Sequence, residues 1–239
     1  MSEQNLVYYL TFEDIQNRNI LYNSIYMNKK TNYYISEDFS ENFYIYLAYY
    51  GFICTSTSLQ NKFYLLAEMQ FEYAILDFKD LHISKKIAQL IKKDEFTFSI
   101  NTKFEEVINK LEEYHKTNWV EDKYKNLLLS LKDYKTSNID FKIISVELSD
   151  KNTNELIAGE IGYKIGSTYT SLTGFSSKEK KYNNWGKLQL VLLSLYLEKE
   201  NYSFWNLGHP YMQYKFDLGA KTYSRLEFLE RWLKRTSKI

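Results

Sequence analysis

Apolar residues in the first 80 positions follow short strand-like and helix-like runs. Ser40 is placed to cap a helix over residues 41–50 and Gly51 to end it, because helices favour serine before their first turn and glycine after their last. Runs rich in aromatic and branched residues, which favour strands, occupy residues 6–12, 62–69 and 72–78. The pattern predicts a small N-terminal α/β domain over residues 1–80.

Between residues 83 and 131 the apolar residues change to helical spacing. Three such stripes predict three amphipathic helices. Their members are Ile83, Ile87, Leu90 and Ile91, then Phe104, Val107, Ile108 and Leu111, then Tyr124, Leu127, Leu128 and Leu131. Lysines off the first stripe usually form a solvated face. They are Lys85, Lys86, Lys92 and Lys93.

The last 100 residues change period again. Residues 142–148, 155–163 and 167–174 predict three consecutive antiparallel strands, because the segments between them are short and turn-like. A helix over 185–198 is predicted to bury Leu188, Val191, Leu192 and Leu195, and a terminal helix to bury Leu226, Leu229, Trp232 and Leu233. Short strands are expected at 203–207 and just before the terminal helix. This order predicts an α+β fold in which residues 81–239 form an acyltransferase-like (GNAT-type) domain with a mostly antiparallel sheet.

Composition and charge narrow the class of protein. A hydrophobic fraction of 44% in 239 residues is ample for a packed core, which excludes a disordered or fibrous chain. No apolar run approaches the roughly 20 residues of a bilayer span, and the first residues do not resemble a secretory signal. We therefore expect a cytoplasmic protein that makes no membrane contact. A net charge of +1 argues against bulk attraction to nucleic acid and leaves room only for a local basic patch.

Familiar catalytic motifs are missing from the sequence. It has no glycine-rich phosphate loop, HExxH, CxxC or nucleophile elbow. The three histidines lie far apart, so no metal and no cofactor are expected. Cys54 lacks a local base and is predicted to be a small buried residue.

A series of short motifs occurs in a fixed order over residues 33–233. They are DFS at 38–40, AYYGFI at 48–53, LHISKK at 81–86, FSIN at 98–101, NWV at 118–120, SVE at 145–147, ELIAG at 155–159, FS at 175–176, LGA at 218–220 and RLEFL at 225–229. The series resembles leucyl/phenylalanyl-tRNA-protein transferases, whose corresponding motifs include LHxSRS, TWI, SVEVW, ELVGG, MFS, SLGA and RxEFL. Each motif is weak alone, whereas their shared order is specific.

The resemblance implies an activity and its partners. Such enzymes move an amino acid from aminoacyl-tRNA to the N-terminal amine of a protein, so the expected partners are the tRNA acceptor end and an acceptor protein or peptide. The helix with the four lysines corresponds to the one that holds the acceptor end. The substrate-binding residues implied in this chain are Trp119, Leu172, Gly174, Phe175, Gly208 and His209.

The chain departs from the family pattern at its polar catalytic positions. The family's Glu in GESMF corresponds to Leu172, and its Asp and Gln in IDCQ correspond to Asn206 and Gly208. Glu160 stands where the family has an apolar pocket residue, and a hairpin turn at residues 165–166 would bring it next to Ser171 and Leu172. We therefore predict that Glu160 and Asn206 are catalytic, although a strand glutamate is often solvated.

Several alternatives remain open from the sequence. Gly174 in place of the family's methionine would widen the pocket, so an altered substrate is as plausible as an altered mechanism. An acyltransferase with another activated donor such as acyl-CoA, or a catalytically silent module that binds tRNA or an N-terminus, also fits. The donor amino acid, the acceptor and the oligomeric state are undetermined. A pocket between the two central strands would favour the enzyme.

Overall fold

The computed structural model describes residues 8–115, 122–136 and 138–236, and it shows helices and sheets in the predicted α+β arrangement. The helices are α1 (Phe12–Gln16), α2 (Glu41–Tyr49), α3 (Lys85–Lys93), α4 (Phe104–His115), α5 (Asp122–Leu131), α6 (Trp185–Lys199), α7 (Gln213–Leu218) and α8 (Arg225–Thr236), with a π-helix over Ile20–Tyr26. The strands are β1 (Tyr8–Tyr9), β2 (Tyr33–Ser36), β3 (Ile53–Leu59), β4 (Lys62–Glu68), β5 (Glu72–Leu76), β6 (Phe96–Ile100), β7 (Phe141–Asp150), β8 (Leu156–Ile165), β9 (Thr168–Ser176), β10 (Phe204–Asn206) and β11 (Lys221–Ser224). Among the described residues, no helix is long and apolar enough to cross a bilayer.

The strands form two sheets. The smaller has the order β1-β2-β4-β3, and the larger has the order β11-β5-β10-β9-β8-β7-β6. In the larger sheet β9 and β10 run parallel and the other neighbours run antiparallel, which confirms the prediction of a mostly antiparallel sheet. Because β5 joins the larger sheet, that sheet includes a strand from before residue 80. The division into domains at residue 80 stays a prediction.

Local sequence signals explain most element boundaries. The Ser40 hydroxyl accepts a hydrogen bond from the Phe43 backbone N–H at the start of α2, and Gly51 follows that helix with φ +91°. The strand predicted over residues 6–12 is wrong in its described part beyond Tyr9. Thr11 and Asp14 form a reciprocal capping box there, which starts α1 instead.

The larger sheet is covered on both faces. One face, which we call the α6 face, packs against α3 and α6. The opposite face packs against α2, α4, α5, α8 and the smaller sheet. From Ala158 onward the residues of β8 alternate between the two cores, as strand geometry requires: Ala158 lies in the α6 core and Ile161 in the opposite core. Glu160 can therefore be assigned to the α6 face.

The prediction of the residues that helix α6 buries is confirmed for Leu188 and Val191 and wrong for Leu195. Leu188, Val191, Leu193 and Leu197 are buried, Leu192 is half-buried and Leu195 is 39% exposed. Since α6 is apolar on almost every side, periodicity alone could not identify its buried face. Ile83, before α3, and Leu226, in α8, are likewise exposed although they were predicted to lie on apolar stripes.

Two leucines of α6 provide a matched test of this packing. Leu193→Ala is expected to lower the free energy of unfolding by about 2 to 5 kcal/mol, because it opens a cavity in a filled core. Leu195→Ala removes the same atoms from a more exposed position and is expected to cost no more than about 0.5 kcal/mol. Urea unfolding of both variants measures the difference, and equal losses would contradict the observed orientation of α6.

Candidate active site

The two central strands of the larger sheet separate at Asn206. Pairing between β9 and β10 ends at Thr170 and Asn206. Beyond that point the β10 chain follows β5, since Leu207 N donates to Ala74 O at 2.9 Å and Ala74 N donates to Gly208 O at 2.7 Å. Strand β9 instead continues along β8 to Ser176. We call the divergence between β9 and the 207–209 segment the split.

Glu160 lies on the α6 face and is 3% exposed. Its Oε1 accepts hydrogen bonds from Tyr169 Oη at 2.9 Å and Ser171 Oγ at 2.7 Å, and its Oε2 accepts one from Gln189 Nε2 at 3.3 Å. Trp205 Nε1 donates to Ser171 Oγ at 2.9 Å, which joins β10 to the same network. The buried carboxylate is thus surrounded by neutral donors.

Burial shifts the pKa of the Glu160 carboxyl. Desolvation raises the pKa of Glu160, although the hydrogen bonds from Ser171, Tyr169 and Gln189 oppose the shift. Burial is also the main cause that raises the pKa of Tyr169 far above its usual value, and the neighbouring Glu160 carboxylate adds to it. Glu160 is therefore easier to protonate near neutral pH than an exposed glutamate.

Asn206 lies on the face opposite Glu160. The side chain is 1% exposed, its Nδ2 is 3.4 Å from Thr170 Oγ1, and its Oδ1 accepts a hydrogen bond from Gly208 N at 2.9 Å. Thr170 follows Tyr169 in β9 and so points to the other side of the sheet. The structure therefore does not bring Glu160 and Asn206 onto one face: Asn206 borders the split, whereas Glu160 in β8 is connected to it through Ser171.

A bulge in β9 decides where the neighbouring predicted residues point. Glu160 is opposite Gly174, Ile161 is opposite Thr173 and Gly162 is opposite Ser171, which leaves Leu172 as the extra residue. The expected contact of Glu160 with Ser171 is confirmed. The expected position next to Leu172 is wrong, because Leu172 follows Ser171 in the strand and points to the opposite core.

The other predicted substrate residues have different surroundings. Gly174 is exposed, and Phe175 is buried against Gly159 in the opposite core. Gly208 has φ +71°, and a Cβ there would lie 3.7 Å from Gln70 Nε2, so its backbone conformation rather than a steric clash favours glycine. Trp119 lies outside the described residues.

His209 belongs to a polar cluster that the sequence did not indicate. Its Nε2 is 2.8 Å from Glu68 Oε2 at the end of β4. Glu68 also accepts hydrogen bonds from Asn32 Nδ2 at 2.8 Å and Gln70 Nε2 at 3.3 Å. We call Glu68, Gln70, Asn32 and His209 the β4 cluster. It adjoins the split through Gly208.

The four lysines of the basic helix are exposed along α3. The helix begins at Lys85, after the Ser84 hydroxyl accepts a hydrogen bond from Ile87 N, and it packs its apolar side against the α6 core. None of the four lysines forms an ion pair with a described residue. Their charges are therefore available to a partner.

Three cavities occur elsewhere in the described part of the chain. They measure about 660, 390 and 790 Å³, and none of the three is lined by Glu160, Asn206 or His209. The largest lies before α6 and includes Lys178, Lys180 and Lys187. Among the described residues, no group of three or more His, Cys, Asp or Glu side chains could hold a metal ion.

Comparison with known sequences identifies the family. The sequence model for leucyl/phenylalanyl-tRNA protein transferase matches residues 75–233. The chain belongs to this family. The leucyl/phenylalanyl-tRNA--protein transferase of Flavobacterium johnsoniae is 26% identical over 159 residues, which cover 65% of this chain and 69% of that protein. The match begins at the end of β5 and includes every later strand, so it contains both sides of the split.

Solved structures are more distant. L-PGS from Bacillus licheniformis is 14% identical to this chain, with a TM-score of 0.38. The similar region covers 74% of this chain and about half (51%) of the length of L-PGS. A conserved protein of unknown function from Staphylococcus epidermidis is 9% identical, with a TM-score of 0.42 and coverages of 81% and 70%.

Several contacts of Glu160 and His209 were not predicted from the sequence. Tyr169 and Gln189 were not predicted as partners of Glu160, because the bulged register of β8 with β9 and the packing of α6 on β8 arise only in the tertiary fold. Glu68 lies 141 positions before His209, and no local pattern marks their pairing. The sequence predicts a strand at residues 62–69, which includes Glu68, but it does not indicate which distant residues that strand approaches.

Proposed function

We propose that this chain transfers an amino acid from aminoacyl-tRNA to the N-terminal amine of a protein or peptide, and that the reaction takes place at the split. The observation that carries the proposal is the position of Asn206. It occupies the family's reactive segment at the point where β9 and β10 separate. A split between two parallel central strands gives an extended substrate access to backbone groups that are paired elsewhere in a sheet.

The chemistry needs little from the protein beyond alignment and charge stabilisation. The amine nitrogen bonds to the ester carbonyl carbon, the bond from that carbon to the ribose oxygen breaks, and the proton lost by the amine ends on the ribose hydroxyl. Asn206 Nδ2 has only a long hydrogen bond to Thr170, so it can donate to a carbonyl oxygen of the substrate. Asn206 is therefore assigned to orient the ester.

We assign Glu160 to the donor side chain rather than to the amine. It lies on the other face from Asn206, at a position where the resemblance implies an apolar pocket residue. A carboxylate held by Tyr169, Ser171 and Gln189 favours a side chain that donates hydrogen bonds over an aliphatic one. An altered donor amino acid follows from this assignment.

The basic helix is assigned to the tRNA. If Lys85, Lys86, Lys92 and Lys93 contact phosphates, replacing all four with glutamine is expected to weaken tRNA binding and to flatten its salt dependence by about 0.7 to 0.9 logarithmic units per contact. Titration at several salt concentrations measures the slope. Lys29 and Lys30, which are exposed in the N-terminal region, supply a control pair that leaves it unchanged. An unaltered slope in the four-lysine variant would return α3 to a merely solvated face.

A silent binding module is the second candidate, and one observation favours it. Leu172 replaces the family's glutamate and packs into an apolar core, so it offers no group for proton transfer. Incubation with mixed charged tRNAs and a peptide that begins with Arg or Lys separates the two functions. The transferase adds the mass of one amino acid to the peptide, and that mass identifies the donor. Binding of charged tRNA with no mass gain would establish the module.

A further inference from the structure

The β4 cluster contains a hydrogen-bond acceptor that no described residue uses. Gln70 is 2% exposed, and its Oε1 is buried without a hydrogen-bond partner among the described residues. Its amide orientation is fixed, because the Glu68 carboxylate can only accept and must therefore face the Gln70 NH₂ group. A buried oxygen without a donor is costly, so a ligand that donates to it would gain more than at an exposed position.

Glu68 supplies charge beside that oxygen. The residue is buried and accepts hydrogen bonds from Asn32, Gln70, His209 and the Tyr33 hydroxyl, which is about as many as an ionised carboxylate can accept. The cluster therefore combines one spare acceptor, Gln70 Oε1, with a buried carboxylate that also interacts with the Arg225 guanidinium. A ligand that fits must donate hydrogens, and a positive charge on it would be attracted to Glu68.

Aromatic rings border the same cluster. Tyr33 is directly opposite Glu68 in the β2–β4 pair, so both side chains project from the same face. The Tyr211 ring stacks on His209 with centroids 5.0 Å apart, and it is 77% exposed. Faces of aromatic rings next to a carboxylate attract cationic groups.

The cluster is also linked to the reactive segment. Asn206 Oδ1 holds the backbone N–H of Gly208, and Gly208 lies against the Gln70 amide. A group bound at Gln70 would therefore lie on the same side of the split as Asn206.

We propose that the β4 cluster binds the α-ammonium group of the acceptor peptide, with Glu68 as its counter-ion and Gln70 Oε1 as a second acceptor. The assignment rests on the proposed function, because it places the acceptor of that reaction. The cluster supplies a carboxylate to an amine next to Asn206, which neither Leu172 nor Gly208 can do. Glu68 and Gln70 are substrate-binding residues in this account.

Equilibrium binding of a dye-labelled peptide tests the site without requiring transfer. The probe begins with arginine and has either a free or an acetylated N-terminus, so its side-chain charge stays constant. Wild type is expected to bind the free amine at least about tenfold more tightly, since a hydrogen bond to a charged group contributes on that scale. Glu68→Gln removes this preference and Gln70→Met reduces it severalfold. Glu72→Gln, an exposed carboxylate outside the cluster, keeps it.

Each outcome decides the proposal. A folded Glu68→Gln variant that retains the preference, or a wild type that has none, overturns the site. If Glu68→Gln does not fold, Tyr211→Ala decides, because that side chain is too exposed to affect folding. If Tyr211→Ala lowers the preference for the free amine at least threefold, the site is supported. An unchanged preference overturns it.

Transfer assays separate this site from the proposed function. If wild type shows the Glu68-dependent preference and transfers nothing, the proposed function fails and the amine site stands. If wild type transfers and Glu68→Gln has an unchanged KM for the peptide, the amine site fails and the proposed function stands.

Discussion

Arg225→Met is expected to lower the free energy of unfolding by about 3 to 5 kcal/mol, because it leaves several buried backbone carbonyls without their shared donor. Arg225 opens α8 and is 5% exposed. Its guanidinium donates to backbone oxygens on three segments of the N-terminal region. They belong to Ile25, Tyr26 and Asn28, to Thr31, and to Met69 and Gln70. One side chain thus ties the last helix to the first 70 residues.

Urea unfolding measures this effect. Arg235→Met is the matched control, since Arg235 lies in the same helix with an exposed side chain and should change stability by no more than about 0.5 kcal/mol. A stability of Arg225→Met equal to that of the control would contradict the role of Arg225 as a structural connector.

Glu160→Gln is expected to slow aminoacyl transfer at least about tenfold, a loss comparable with that of a general base or of a specific polar contact. The substitution conserves shape, and the Tyr169 and Ser171 hydroxyls can rotate to accept from the new amide, so the fold is retained. Because Glu160 is assigned to the donor side chain, the loss should differ among charged tRNAs. An equal loss for every donor would favour the catalytic role predicted from the sequence, with Glu160 acting on the amine, and an unchanged rate would exclude both roles.

The stability of Glu160→Gln relative to wild type is expected to depend on pH. Burial raises the pKa of Glu160 in the folded state above its ordinary value of 4.5. Its contribution to folding is therefore fully present below pH 4.5 and is lost as the pH rises through the raised pKa. Glu160→Gln lacks this group, so its stability relative to wild type should increase over that interval and then stay constant. Urea unfolding between pH 4 and 8 tests the sign, and a decrease would contradict the desolvation of Glu160.

Local sequence signals predicted much of the fold. Ser40 and Gly51 marked α2 because capping is a short-range interaction, and the short turn-like segments between the strands located β7, β8 and β9 to within a few residues. The amphipathic stripes of α4 and α5 were also located, since each helix buries only one side.

Long-range pairing limited the prediction of the site. Nothing local indicates that β5 leaves the strand before it and joins β10, yet that pairing draws the 207–209 segment away from β9 and creates the split. The bulge at Leu172 is equally hidden, because it depends on the register between β8 and β9. Sequence motifs found Glu160 and Asn206, but only the sheet shows that they occupy opposite faces.

The proposed transferase is tested by the single-turnover rate of transfer from charged tRNA to a peptide with a free N-terminus, measured for wild type and Asn206→Ala with tRNA binding followed in parallel. Wild type is expected to transfer. Asn206→Ala, with unchanged tRNA affinity, is expected to be at least about tenfold slower for every donor amino acid, because the ester loses a hydrogen-bond donor that orients it. A wild type that binds charged tRNA and transfers nothing, or an Asn206→Ala variant as fast as wild type, would contradict this proposal.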